Sequence, residues 1–332
     1  MKTRMRTLVM FLGIAIGAHE LYSAEIAKYA GEFMATGVGA RALGMGGATV
    51  AGQGDVTYAY WNPAGLVSVD YPEIAAMHSR RFGGVVNYDY LGVSMPFRRD
   101  KTLAASLIRL AVDDIYFTDL IRPGEPLSTG NRPFITETVS DAEYAFYLSY
   151  AASTRKGFSY GTNVKFVRKG VGEHSAWGIG FDIGTRWNPI GRLQTGVMIQ
   201  DVTTTLLAWN TGTTELISPT VKWGAGLPLP IPFLHSDLWL AADCDTRFEG
   251  RKIASQAHVG KMSFDFHLGA ELLFKRTIAL RLGTDVGNFA AGAGIRLPRL
   301  DIDYAFLSHE YLDSTHRISL RLRLEEKRFL RR

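Results

Sequence analysis

The chain has little cysteine and no recognisable catalytic or metal-binding motif. Cys244 is the single cysteine among 332 residues, which excludes an intramolecular disulfide framework. The eight histidines lie far apart, with no pair at zinc-ligand spacing, and no nucleophile-elbow motif occurs. Barrel proteases and phospholipases, whose catalytic groups assemble only in space, are not excluded, but nothing points to them. We therefore predict a non-enzymatic protein without metal or cofactor.

The excess of positive over negative charge is also small. Lysine and arginine give the chain a formal charge of +5, of which residues 1–24 supply two charges, through Lys2, Arg4 and Arg6 against Glu20. The remaining excess is mild, so the pI of about 9.2 does not indicate nucleic-acid binding.

Long hydrophobic runs are nearly absent. LVMFLGIAIGA at residues 8–18 is an apolar run of eleven behind basic residues, which is the layout of a secretory signal peptide and too short to span a bilayer. We predict that residues 1–24 are removed, with cleavage near Ala24 or alternatively after Ala18. There is no cysteine near the cleavage site, so we do not expect a lipid anchor. No run of eighteen apolar residues follows, which excludes a helical membrane protein.

Beyond residue 70 the dominant hydrophobic period is two, which is the period of a β-strand with one apolar and one polar face. In HRISLRLRL at residues 316–324, isoleucine and leucine alternate with arginine and serine. Many of these segments hold nine to thirteen residues, close to what a tilted strand needs to cross a bilayer. The fourteen predicted strands are 72–80, 88–97, 101–112, 141–152, 157–168, 176–188, 191–202, 219–228, 235–245, 264–273, 276–284, 289–297, 300–307 and 316–324.

The predicted connections alternate in length. Those after strands 2, 4, 6, 8, 10 and 12 hold two to six residues, whereas those after strands 1, 3, 5, 7, 9 and 13 hold seven to twenty-eight; only 285–288 breaks the pattern. Short periplasmic turns and long outer loops are typical of outer-membrane barrels. We therefore predict an all-β fold, a transmembrane antiparallel β-barrel of about fourteen strands at residues 72–324, with both termini in the periplasm. A soluble β-sandwich or two-domain β protein is the alternative.

In a membrane barrel the apolar residues face lipid and the polar residues face the lumen. The predicted hairpin of strands 13 and 14 brings Asp301 roughly opposite Arg321 and Asp303 near Arg317 and Arg321, and Arg281 also points inward. Opposite charges on facing strands attract. We therefore predict a ladder of lumen charges made of Asp301, Asp303, Arg317, Arg321 and Arg281; independent solvated lumen residues are the alternative.

A glycine-rich stretch precedes the first strand. GVGARA at residues 37–42 formally matches a dinucleotide-binding fingerprint, but no buried strand precedes it and no helix follows. The stretch also lacks the lysine of a phosphate-binding loop. Glycines let backbone pack against backbone in a narrow lumen, and Pro63 fixes a turn.

Four blocks of sequence carry a resemblance: GARALGMGGATVA (39–51), YAYWNPAGL (58–66), MHSRRFGGVVNYDYLGVSMPF (77–97) and THRISLRLRL (315–324). Together they resemble the PorV/PorQ family of outer-membrane proteins, which is related to the FadL-type transporters of hydrophobic compounds. The resemblance covers essentially the whole mature chain and implies a fourteen-stranded barrel.

In FadL-like proteins a hatch segment folds into the barrel before the first strand and includes an Asn-Pro-Ala motif. The resemblance therefore implies a hatch at residues 25–71. The alternative is that this segment is a rigid entry into strand 1 without a gating role. The hatch candidates are Gly39, Arg41, Gly44, Gly46, Gly47, Asn62, Pro63, Ala64 and Gly65.

One departure from barrel proteins lies at the C-terminus. Such chains commonly end on an aromatic residue, but this one continues into a charged tail, EEKRFLRR at residues 325–332.

Three functions are left open. The PorV/PorQ resemblance favours a role in protein secretion or surface delivery, a FadL-like channel for hydrophobic small molecules is the alternative, and a structural barrel without transport is the third. The predicted outer loop 203–218 carries an apolar cluster, Leu206, Leu207 and Trp209, that suits either of the first two. The expected partners are outer-membrane lipid, the barrel-assembly machinery, and either secretion components with exported cargo or a hydrophobic ligand; no nucleic acid is expected.

Overall fold

The computed structural model describes residues 25–26, 31–154, 157–251, 255–309 and 314–326. The predicted signal peptide at residues 1–24 lies outside these ranges, as do residues 327–332 of the predicted tail. Within them, fourteen strands form the wall of a closed antiparallel β-barrel, which confirms the predicted fold class. The strands are β1 Glu73–Arg81, β2 Val86–Arg98, β3 Lys101–Leu120, β4 Pro133–Ser153, β5 Ser159–Val171, β6 His174–Trp187, β7 Gln194–Gln200, β8 Thr220–Ile231, β9 Ser236–Arg247, β10 Met262–Phe274, β11 Ile278–Asp285, β12 Asn288–Arg296, β13 Leu300–Leu307 and β14 Thr315–Arg323.

The ring closes because the last strand pairs with the first. Leu320 of β14 lies opposite Ala76 of β1 in an antiparallel ladder that runs from His316 to Arg323. Closure satisfies backbone groups that an open sheet would expose at its edges. No helix in the described part of the chain is long and apolar enough to cross a membrane.

The alternation of residue types in each strand sets which face points outward. On β14, Ile318 is 56% exposed, whereas the neighbouring Arg317 is 2% exposed. The exposed side of the wall is therefore the apolar one, as expected where hydrocarbon replaces water as the surroundings. The polar side chains of the same strands point into the lumen.

The predicted loop 113–140 is in large part a continuation of strands β3 and β4. Tyr116 pairs with Thr138 in this extension, while the ladders to β2 and β5 end at Val112 and Asp141. A bulge between Val112 and Ile115 interrupts the alternation, which is why the sequence pattern ends early. Residues 113–140 therefore form a two-stranded hairpin beyond the wall, the outer hairpin. The connections after β1 and β5 are also shorter than predicted.

The prediction of a loop at residues 203–218 is also wrong, because these residues fold into a hairpin of Thr205–Trp209 and Thr214–Ile217. Thr205–Trp209 alternates with period two and pairs with the outer half of β6, which β7 is too short to cover. The three residues predicted to form an exposed apolar cluster are thus separated. Leu207 is fully buried, Leu206 is exposed on the outer face, and Trp209 is half-buried.

Residues 31–72 fold inside the barrel and are called the plug. They contain three short helices, α1 Glu32–Ala35, α2 Ala40–Gly44 and α3 Tyr58–Trp61, followed by a 3₁₀-helix at Pro63–Ser68. Most of the plug is buried against inward-facing side chains of the wall. Upstream of it, Glu25–Ile26 pair in parallel with Glu215 and Leu216.

Candidate functional site

The plug has its own aromatic core. The Trp61 indole Nε1–H donates to the Val38 carbonyl at 2.8 Å, and the Tyr60 hydroxyl donates to the Met34 carbonyl at 2.6 Å. The two rings meet edge to face with centroids 4.9 Å apart. Such contacts hold short helices that would not be stable alone.

Asn62 joins the plug to the wall. Its Nδ2 donates to the carbonyls of Val50 at 2.8 Å and of Thr185 on β6 at 3.1 Å, while its Oδ1 accepts the Ala64 N–H at 3.1 Å. The residue is fully buried and caps the 3₁₀-helix, with Pro63 in the first position, where a missing N–H costs nothing. The Asn-Pro-Ala motif is therefore a structural joint between plug and barrel.

Further hydrogen bonds hold the plug from other sides. Asp243 of β9 accepts the N–H groups of Thr49 and Val50 at 2.6 and 2.7 Å. Arg186 of β6 donates to the Ala51 carbonyl at 2.8 Å, and Asn163 of β5 donates to the Ala59 carbonyl at 2.8 Å. The plug is thus bonded to three wall strands, β5, β6 and β9, at once.

Glycines of the wall, which the sequence analysis overlooked, make room for the plug. An added Cβ at Gly184 would overlap the Asn62 side chain, and one at Gly161 would overlap the Pro63 backbone. Glycine inside a strand often marks such a close approach, so inward glycines were the available signal. The wall glycines that approach the plug are Gly161, Gly184, Gly196, Gly224, Gly269, Gly283 and Gly292.

The structure places the predicted hatch residues inside the barrel. Gly44 approaches the backbone of Gly292 on β12, and Gly46, at φ +64°, lies against the backbone of Thr284 on β11. Gly65 lies against the Tyr58 ring, where a Cβ would overlap it. Gly39 and Gly47 also have positive φ angles. The glycines of this stretch therefore serve turns and backbone contacts. The expectation that no helix follows them is wrong, because α2 begins at Ala40, but this helix has only five residues and ends at Gly44.

Arg41, another predicted hatch residue, forms the centre of a buried charge cluster. Its Nε and Nη2 make two parallel hydrogen bonds of 2.9 Å to the Glu271 carboxylate on β10. Glu271 also contacts Arg281 at 2.6 Å and Arg296 at 3.2 Å. Bidentate arginine–carboxylate pairs are strong and directional. Arg41 therefore fixes the orientation of α2 against the wall.

Asp55 of the plug is held by arginines. Arg41 Nη1 lies 3.5 Å and Arg321 Nη1 3.8 Å from its Oδ2, and Thr57 N–H donates to Oδ1 at 2.9 Å. Burial opposes ionisation of this carboxyl group, but Arg321 and Arg41 outweigh it, so the pKa of Asp55 lies below its ordinary value. The plug carboxylate is therefore charged and paired.

The predicted charge ladder is only partly paired as expected. Asp301 lies opposite Arg321 in register and contacts it directly. Asp303, however, contacts Arg281 at 2.7 Å instead of Arg317 or Arg321. Gly294 of β12 leaves the space for this contact, because an added Cβ there would overlap Asp303.

Arg317 is the member of the predicted ladder without a carboxylate partner within 4 Å in the described residues. It donates instead to the carbonyls of Thr36 and Gly37, at 3.1 and 3.4 Å. The prediction that Asp303 is paired from β14, by Arg317 or Arg321, is therefore wrong, since Arg281 occupies that carboxylate.

The lumen has two unlike halves. Strands β1 to β5 present mainly apolar side chains to the plug, although Glu73 and Lys165 are buried there as well. The apolar side chains include Met77, Tyr88, Tyr90, Ile108, Tyr147 and Val167. Strands β8 to β14 present buried charges instead, among them Lys222, Asp243, Asp245, Asp265, Glu271, Arg281, Asp301 and Asp303. A hydrophobic molecule in the lumen would therefore find favourable contacts on one side only.

The wall ladder is interrupted between β6 and β7. Ile183–Trp187 pair with β7 and Ala176–Ile179 pair with Thr205–Trp209. Between them, Gly180–Asp182 have no ladder partner on this side, and a backbone hydrogen bond from the Val202 N–H to the Phe181 carbonyl, at 2.8 Å, crosses the gap. The chain turns away at Asp201–Thr204, with positive φ at both Asp201 and Thr204. We call Gly180–Asp182 together with Asp201–Thr204 the wall break.

A buried ion cluster occupies the wall break. Lys165 Nζ lies 2.8 Å from Asp182 Oδ1 and 2.7 Å from Asp201 Oδ1, and the Asp201 N–H donates to Asp182 at 2.9 Å. Beside it is a cavity of about 50 Å³, lined by Lys165, Gln200, Asp201, Ile217 and Ser218 together with Met34 and other plug residues.

These features define a plugged outer-membrane barrel, and its fold is similar to that of solved transporters. The P. putida toluene transporter TodX gives a TM-score of 0.57 at 11% identity over 87% of this chain and 99% of that one. The Ralstonia pickettii toluene transporter TbuX gives 0.53 at 12% identity over 86% and 98%. A FadL homologue of Pseudomonas aeruginosa gives 0.53 at 10% identity over 87% and 98%.

The fold is therefore that of the FadL-type outer-membrane barrels. No protein-family model matches the chain, and no curated protein matches it by sequence. The PorV/PorQ resemblance stays a prediction.

Proposed function

We propose that this protein is an outer-membrane channel for hydrophobic small molecules, the FadL-like role that the sequence analysis held as its alternative. The observation that carries the proposal is the wall break, an interruption of the barrel ladder next to the apolar half of the lumen. The fold likeness to two toluene transporters supports this role over one in secretion.

The proposed route leaves the lumen sideways. The plug fills the lumen and is bonded to β6 and β9, whereas within the described residues no ladder joins the strand Thr214–Ile217 to β8. Lateral release suits a hydrophobic ligand, because it passes from apolar side chains to lipid without meeting water.

The described conformation is closed to such a ligand. The cavity at the wall break holds about 50 Å³, while an engineered apolar cavity that binds benzene holds about 150 Å³. Passage therefore requires the hairpin at 205–217 to move away from β8.

Uptake measurements test the proposal. Cells that lack their own channels of this type should take up toluene faster when they produce the full chain, whereas entry of glycerol, a polar solute of similar size, should stay unchanged. Equal toluene uptake with and without the protein in the outer membrane would contradict the channel role.

A blocking experiment tests the route. In a Cys244→Ser background, a cysteine introduced at Ser218, which lines the cavity, is labelled with a bulky thiol reagent. Labelling should abolish toluene uptake, while the same label on Thr211→Cys at the exposed tip of the hairpin should not. Full uptake after complete labelling of Ser218→Cys would place the route elsewhere.

The outer hairpin favours a second candidate function, the delivery of secreted proteins to the surface. It projects beyond the wall with exposed Tyr116, Phe117, Ile121, Leu127, Phe134 and Ile135, and exposed apolar residues grouped in this way commonly contact a partner. Replacing residues 115–137 by a short turn should leave the barrel folded and deplete secreted proteins from the cell surface. An unchanged set of surface proteins would remove this candidate.

A further inference from the structure

A row of polar and charged side chains crosses the outward, membrane-facing surface of the wall near the outer hairpin. Cross-strand pairing places its members opposite one another from β1 to β6, in the order His78, Asp89, Arg109, Tyr144, Arg168 and Trp177. Arg80 is the next outward residue after His78 on β1 and is exposed. We call this row, together with Arg80, the outer belt.

The belt borders a continuous apolar surface. The next outward residues of β2 to β6, further from the outer hairpin, are all exposed and apolar: Leu91, Leu107, Phe146, Phe166 and Ile179. Charged side chains are costly in hydrocarbon, whereas they are tolerated at the level of the lipid headgroups. The belt therefore marks the height at which headgroups meet the wall.

The belt carries more positive than negative charge. Its single carboxylate, Asp89, accepts a hydrogen bond from Arg109 at 3.1 Å and lies 2.7 Å from His78 Nδ1. Arg80 and Arg168 have no carboxylate within 4 Å among the described residues, and Arg168 lies over the Trp177 ring at 5.3 Å from its centroid. Two guanidinium groups thus present unneutralised charge to the surroundings of the barrel.

This charge lies on one side of the barrel. In the part of the chain that the structure describes, the outward positions of β8 to β13 carry no charged side chain, and they include exposed Trp223, Phe266, Leu282 and Phe289. A general contact with headgroups would be equally useful all round the ring. The one-sided arrangement instead fits a particular ligand.

The spacing of the arginines suits a headgroup with separated phosphates. Arg109 and Arg168 stand two strands apart, which is about 10 Å across the ladder, with Tyr144 between them. Arginine binds phosphate oxygens through parallel hydrogen bonds. A sugar headgroup phosphorylated at two points can therefore engage two arginines, while its acyl chains lie on the apolar surface that borders the belt.

We propose that the outer belt binds a phosphorylated glycolipid of the outer leaflet, with its phosphate groups on Arg80, Arg109 and Arg168. The proposal uses the predicted orientation, in which the rim with the outer hairpin faces the outside of the cell. It goes beyond the proposed channel role, because the belt lies on the outside of the wall and its lipid is held there without being transported.

Native mass spectrometry of the full chain in an uncharged maltoside detergent tests the belt. EDTA is present, so that no divalent cation joins the lipid to Asp89. The probes are lipid A, which is an acylated disaccharide with two phosphates, the same lipid after removal of its phosphates, and phosphatidylglycerol. Lipid A should bind more tightly than the other two. Absence of lipid A binding, or equal binding of either other probe, overturns the proposal.

Variants assign the binding to the belt. The double change Arg80→Gln with Arg168→Gln removes the two arginines without a carboxylate partner and should weaken lipid A binding about tenfold. Arg192→Gln, at an exposed arginine of the short turn between β6 and β7, is the matched control and should bind like the wild type.

Heat-modifiable gel mobility shows whether each variant is folded. If the double variant does not fold, the single changes at Arg80 and Arg168 decide. Unchanged affinity in the folded belt variants, or an equal loss in Arg192→Gln, overturns the assignment.

Discussion

The Asn62 side chain donates a 3.1 Å hydrogen bond to the Thr185 carbonyl of β6, beside Gly184, whose lack of a side chain leaves room for it. The plug motif is thus matched to a particular place on the wall. A larger residue at position 184 would collide with Asn62.

Replacing Asn62 by alanine should loosen the plug without unfolding the barrel. The change leaves the buried carbonyls of Val50 and Thr185 without a donor, at a cost of about 1–3 kcal/mol each. Ion conductance through the barrel in planar bilayers should rise, and thermal unfolding should begin several degrees lower.

Gly184→Ala should have the same effect, because its Cβ would overlap Asn62. Ile183→Ala, on the same strand but facing outward, is the matched control and should leave conductance unchanged. Wild-type conductance in both Asn62→Ala and Gly184→Ala would show that the plug is not held by this joint.

Removing Arg321 should destabilise the barrel more than removing Asp301. Arg321 serves Asp301, Asp55 and Glu73 together, and Arg321→Met leaves these carboxylates without their shared partner, at a cost of about 3–5 kcal/mol. Asp301→Asn leaves Arg321 with two acids and should cost about 1–3 kcal/mol. The temperature at which the barrel loses its heat-modifiable gel mobility measures both.

Reversing both charges, Asp301→Arg with Arg321→Asp, should restore only part of the stability that Asp301→Arg alone removes. The new carboxylate at position 321 would lie beside Asp55 and Glu73 and repel them. Complete restoration would mean that Asp301 and Arg321 form an isolated pair.

Asp55 should make the stability of the plugged barrel depend on pH. Its pKa is lowered in the folded protein, because Arg321 and Arg41 outweigh the effect of burial. The ionised group therefore stabilises the fold above its ordinary pKa of about 3.9, and this stabilisation is lost as pH falls through the lower folded value.

Thermal melting of wild type and Asp55→Asn in maltoside detergent checks this. The difference between them should be constant from about pH 5 to 8 and shrink below about pH 4. A difference that grows in acid would contradict the assigned direction.

Lys165→Met should open the wall break. Asp182 and Asp201 would lose the cation that joins them, so the turn at Asp201–Thr204 should separate from β6 and hydrophobic dye should enter faster. Lys222→Met is the matched control, since Lys222 is a buried lysine paired with Asp245 on the charged half of the lumen. Both should destabilise by about 3–5 kcal/mol; an equal effect on dye entry would show that Lys165 has no special relation to the passage.

The strands were predictable because each carries its own alternation. Residues 300–307 were predicted as the thirteenth strand and have those bounds in the structure. The outer hairpin was missed because a bulge between Val112 and Ile115 interrupts the alternation. The hairpin at 205–217 was missed because whether Thr205–Trp209 is wall or loop depends on β6 and on the early end of β7.

The identity of the site residues was predictable from the sequence, but their bonding partners were not. The Asn-Pro-Ala motif marked Asn62, while its bond to Thr185 depends on a residue 123 positions away. The pairing of Asp303 with Arg281 depends on the absence of a side chain at Gly294, which lies on a third strand, β12. Register alone suggested Arg317 or Arg321 instead.

The seam between β14 and β1 closes directly on the plug. The Ala40 N–H donates to the Ser319 hydroxyl of β14 at 2.7 Å, and the Gly39 N–H contacts the Met77 sulfur of β1 at 3.1 Å. Both strands of the closing seam therefore share a bonding partner in the plug. Withdrawing the plug from the lumen would take these two contacts away from the seam, so the stopper of the ring is also part of its clasp.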